Sequence, residues 1–147
     1  MDYRTYQEMY HKVPYFESCD EMRSILAGVL ASLPEEVRDF VIRRCIFLFS
    51  PESAGITYTV QFPVEASREY HFILMSDWLW WECKRALLRK RSRKAYLLAR
   101  LEQRKGWRYF TAHEIAHAYL NHMGSHTQDP EGDADKLAAE WGFPLSE

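Results

Sequence analysis

Thr111-Ala112-His113-Glu114-Ile115-Ala116-His117 is the stretch whose periodicity decides how the rest of the chain is organised. On a helix, His113 and His117 lie one turn apart and are offset by about 40°, so both imidazoles can converge on one ion. Ala112, Ile115, Ala116, Tyr119 and Met123 form an apolar face directly beside them, which predicts a helix packed on a core. Charge-capable groups so placed need partners, and a metal ion is the natural one. Zinc suits the spacing: its nitrogen ligands sit at about 2.0–2.1 Å, and three protein ligands leave a fourth position for water. Glu114, about 100° round the helix from His113, is placed to accept a proton from that water.

A third ligand is required, and Glu131-Gly132-Asp133-Ala134-Asp135 offers it on the next predicted helix, which Asp129 opens as N-cap with Pro130 at the first position. Glu131 and Asp135 are four residues apart and share a face. With Glu131 on the metal, Asp135 can accept a hydrogen bond from the free ring N–H of a histidine ligand, His113 first, and so fix its tautomer. Asp133 is the rival ligand, on a different face of the helix. The plainer alternative is that these acids only favour a helix N-terminus through its dipole.

Upstream of the motif, Met22, Ile25, Leu26, Val29 and Leu30 recur at helical spacing after Ser18 as N-cap, and Val37, Phe40 and Val41 continue a second helix after Pro34. Cys45 to Phe49, Gly55 to Gln61 and Tyr70 to Met75 read as three strands, the last of them a candidate sheet edge for an extended peptide. A long helix is predicted from Asp77, with Gly106 ending or kinking it, followed by the motif helix from Trp107 to Met123. Residues 1–17 show no clear period and are expected as a loose arm.

The chain has 147 residues, 47% hydrophobic and 27% charged, which suits one domain with a real core and excludes collagen, repeat arrays and disorder. Cys19, Cys45 and Cys83 are odd in number and outside any CxxC, so neither a disulfide framework nor a thiolate zinc site is expected. With no apolar leader and no run near the roughly 18 residues of a spanning helix, a cytoplasmic protein without a transmembrane segment is the expectation. The formal net charge of -2 conceals a division: residues 84–108 hold eleven Lys or Arg and one acid. That basic segment is either a surface for nucleic acid or anionic headgroups, or the solvated face of an amphipathic helix.

His113-Glu114-Ile115-Ala116-His117, followed by Glu131-x-x-Ala134-Asp135 and Ala138-x-x-Trp141-Gly142-Phe143, resembles the active-site half of small gluzincin-type zinc metallopeptidases of the ImmA/IrrE and phage-borne kind. The likeness covers about residues 70–143, and the long basic segment from Trp78 to Gly106 departs from it. It implies a zincin-like α+β domain over residues 1–147 with a sheet of about three strands, and a zinc metalloendopeptidase acting on protein or peptide. It further implies Zn2+ on His113, His117 and Glu131, Glu114 as general base and Asp135 behind the ligands. The other reading of the chain is a nucleic-acid-associated regulator that works through residues 84–108, with a vestigial or sensing metal site. His126, Tyr109 and Tyr119 are the candidates for stabilising an oxyanion. His122, on the opposite side of the helix from His113, is expected to serve the helix C-terminus. The tail from Pro144 to Glu147 is close enough in the chain for its carboxylates to inhibit the site.

Overall fold

A computed structural model of the chain describes residues 2–12, 15–16, 20–50, 56–61, 69–76, 92–125 and 127–144. Helix α1 (Tyr3–Lys12) leads through a short strand β1 (Tyr15–Phe16) to α2 (Asp20–Ser32) and α3 (Glu35–Arg44). Strands β2 (Cys45–Ser50), β3 (Ile56–Gln61) and β4 (Glu69–Ser76) follow, then the long α4 (Arg93–Met123) and the short α5 (Pro130–Glu140). The architecture is α+β, with helices in the majority.

The apolar spacing of α2 is realised as burial: Met22, Ile25, Leu26, Val29 and Leu30 all lie in the core, as do Val37, Phe40 and Val41 of α3. On the sheet, Cys45 and Phe47 of β2 and His71 and Ile73 of β4 are buried, whereas Ile46, Tyr70 and Phe72 are only half-buried. Alternation of this kind turns one face of the sheet inward. The parallel register pairs Cys45 with His71 and Phe47 with Ile73, so these four side chains meet the helices together. Burial pushes the Cys45 thiol up and leaves it an inert apolar group.

Four strands form one sheet in the order β1-β2-β4-β3, rather than three. β2 runs parallel to β1 and to β4, and β3 runs antiparallel to β4. The expectation that Tyr70–Met75 is a sheet edge is therefore corrected. β4 is interior, with Ile73 paired to Phe47 on one side and Thr57 on the other. β3 is the end strand on that side, and it packs against α4.

Residues 3–12, expected as part of an arm, form α1 instead. The helix lies against α2 with Met9 buried, the Tyr6 and Ser24 hydroxyls 2.9 Å apart, and Arg23 Nε donating to the Tyr10 carbonyl at 2.9 Å. The Arg23 guanidinium also sits over the Tyr10 ring at 4.1 Å. Gly106 does not end a helix, because α4 runs through it for 31 residues, about 46 Å. A single interior glycine costs only about 1 kcal/mol, which the packed turns beginning at Trp107 offset. The N-terminus of α4 is capped by Ser92, whose side chain accepts from the Ala95 N–H at 3.1 Å, and its C-terminus by Gly124 at φ 66°. The N-cap readings at Ser18 and Asp77 and the basic run from Lys84 to Arg91 lie outside the described residues. Among the described residues no helix is long and apolar enough to cross a membrane.

Candidate metal centre

Tyr109, His113 and His117 follow one another at intervals of four residues and so share a face of α4. The turns that carry them are anchored from behind by Trp107, Thr111, Ala112, Ile115 and Ala118, all buried. α5 is brought alongside by its own N-terminal capping. Asp129 accepts from the Gly132 N–H at 3.1 Å, and Asp133 accepts from both the backbone N–H and the hydroxyl of Thr127. A Cβ on Gly132 would lie 2.2 Å from Asp129 Oδ2, so glycine at this position lets the capping carboxylate fold over the helix start. Asp133 is thus occupied with the loop, and Glu131 and Asp135 are the acids that reach α4.

His113 Nε2 lies 3.0 Å from His117 Nε2 and 3.0 Å from Glu131 Oε2, and His117 Nε2 lies 3.2 Å from Glu131 Oε1. These donor atoms form a group that can hold a metal ion. A tetrahedron with metal–ligand bonds of about 2.0–2.1 Å has edges of about 3.3–3.4 Å, slightly longer than these separations between the two imidazoles and the two carboxylate oxygens. Chemistry points the same way. His113 Nδ1 is 2.8 Å from Asp135 Oδ1, so in the neutral ring the proton belongs on Nδ1 and Nε2 is left as a lone pair. That lone pair then faces a carboxylate oxygen at 3.0 Å, two acceptors that repel unless a cation or a proton lies between them. The three side chains fit a divalent ion. The group grades from buried His113 through half-buried His117 to exposed Glu131, so one side is open to solvent.

Glu114 is 5% exposed, next to His113 in the chain and turned to a different side of the helix. Tyr109 does not stand ready for an oxyanion: its hydroxyl donates to Asp135 Oδ1 and is 3.4 Å from His113 Nδ1. Burial, then Asp135, then the charges of Glu131 and Glu114 hold this phenol far above the usual tyrosine range, so it keeps its proton. The Tyr119 ring packs edge-on against Phe40 and Trp141. His122 is in the last turn of α4, where it meets the rings of Phe40 and His71. His126 and residues 145–147 of the tail are outside the described residues. Of the basic segment, Lys94, Lys105 and Arg108 are exposed on α4, with Leu101 exposed among them.

Small side chains on both helices are fully enclosed: Ala112 and Ala116 of α4 and Ala134 and Ala138 of α5 are each completely buried. Ala134 sits between the capping Asp133 and Asp135, one turn beyond Glu131, which is the physical reason for alanine at that point of the motif. Ala134→Leu is expected to overpack the seam, costing about 1–3 kcal/mol of stability and moving both acids off α4. Denaturant midpoints and zinc titration of the variant check this; unchanged values in both would show that the seam tolerates bulk. Comparison with protein-family models, with curated proteins and with solved structures finds no match for the chain.

Proposed function

We propose that the protein is a zinc-dependent peptidase of the zincin type, with His113, His117 and Glu131 as ligands and Glu114 as general base. The observation that carries this reading is the convergence of the three donor atoms, with a buried glutamate next in the chain after the first histidine. A zinc ion, when bound, lowers the pKa of water towards about 7 and polarises a carbonyl. Glu114 takes a proton from water as it attacks the peptide carbonyl and returns it to the leaving amine nitrogen. Asp135 keeps His113 in the tautomer whose Nε2 lone pair faces the other two donors. An extended substrate would add main chain to main chain along β3, the end strand that packs on α4.

Metal removal tests the reading. The purified protein is expected to hold about one zinc per chain and to cleave a fluorogenic peptide library, to lose that cleavage with a chelator, and to regain it when zinc is restored. Failure to bind zinc at all would refute it, and so would cleavage that a chelator leaves untouched.

A further inference from the structure

We infer that Tyr109 is a positioning residue for the metal centre, acting through the Asp135 carboxylate. The inference rests on the metal-binding reading above and is independent of whether peptide is the substrate. Asp135 Oδ1 receives two donors from successive turns of α4, the Tyr109 hydroxyl and His113 Nδ1, the latter at 2.8 Å. The tyrosine and histidine rings are themselves only 5.6 Å apart, centroid to centroid.

An aspartate held by a single imidazole can rotate about its own side-chain bonds and carry the ring with it. A second donor on the same oxygen removes that freedom, so the carboxylate is pinned where it keeps His113 Nε2 directed at His117 and Glu131. The same bond closes a bridge from α4 to α5, tying the helix that carries Glu131 and Asp135 to the one that carries both histidines. Tyr109 therefore sets the preorganisation of the site without touching its centre. Because its hydroxyl is engaged with Asp135, its work lies behind the ligands, away from the reacting carbonyl.

The test is zinc affinity, measured on the full chain by competition with a chromophoric chelator, together with thermal melting of the metal-free protein. Tyr109→Phe keeps the ring and removes the donor. It is expected to weaken zinc binding about tenfold while the melting temperature of the metal-free protein stays within a few degrees of the parent. In an Asp135→Asn background, the same change should add little further loss, since the residue it acts through is already altered. Parent-like affinity of Tyr109→Phe, in company with weakened Asp135→Asn, would overturn the role of Tyr109 and leave the metal site standing. Full additivity of the two losses would overturn the route through Asp135. A parent chain that binds no zinc would overturn both readings together. Should Tyr109→Phe melt early, Tyr109→His provides the second variant: a ring that can still donate must recover affinity if the donor is what matters, and failure to recover refutes it.

Discussion

Glu114→Gln is expected to yield a folded protein that binds zinc as tightly as the parent and hydrolyses peptide about a thousandfold more slowly or worse. Glutamine has the same length and shape and can still form hydrogen bonds in a site that leaves Glu114 only 5% exposed, so packing of α4 should be unaffected. What it cannot do is take a proton. General-base contributions run to about 10²–10⁴ in rate, and in the proposed reaction the same group also serves the leaving nitrogen. Steady-state turnover with metal content measured on the same preparation separates the two properties. Full activity in a zinc-loaded Glu114→Gln protein would remove the assignment.

His117→Ala should do the reverse, abolishing zinc binding at stoichiometric metal while leaving the metal-free fold close to the parent. His117 is half-buried, lies within a long helix rather than at its end and has alanines on either side, so the replacement suits its surroundings. Losing one of three donors is a larger loss than the 10–100-fold typical of partners behind the ligands. His113→Ala would be a poorer experiment. That ring is buried and hydrogen-bonded to Asp135, so its removal opens a cavity and breaks a bond between α4 and α5 together with the metal site. Calorimetric titration with zinc, alongside circular dichroism, checks the His117 result; retention of tight binding would mean that the triangle of donors is not the metal site.

These expectations trace to features that short-range periodicity makes visible. His113 and His117, and Glu131 and Asp135, are helix neighbours whatever the rest of the chain does, and Asp129-Pro130 marks where the second pair begins. Strand order is a different matter, because it is decided by contacts between residues far apart in the chain. Nothing within Tyr70–Met75 tells that β2 and β3 will close on both sides of it. α1 is not legible in the sequence for a related reason. It buries only Met9 outright and is held by Tyr6 and Tyr10 against α2, so its stability comes from its partner and not from its own pattern. Gly106 does not stop the helix because a glycine is a stop signal only where the chain needs a left-handed residue, as at Gly124 and Gly142. Tyr109 was readable as a member of the histidine face, four residues before His113, but the direction of its hydroxyl depends on where α5 comes to rest.

The unbroken course of α4 has a mechanical meaning. Lys94, exposed near its N-terminus, and His113, buried nearer its C-terminus, belong to one rod, and their Cα atoms are about 28 Å apart along its axis. Any force applied to the basic end is delivered to the histidines as torque, with the buried turn at Trp107 as fulcrum and about 20 Å of lever beyond it. A swing of about 3° at the fulcrum corresponds to about 1 Å at Lys94, a displacement that ordinary docking supplies. Whatever grips the outer half of this helix therefore holds a handle on the alignment of the inner half.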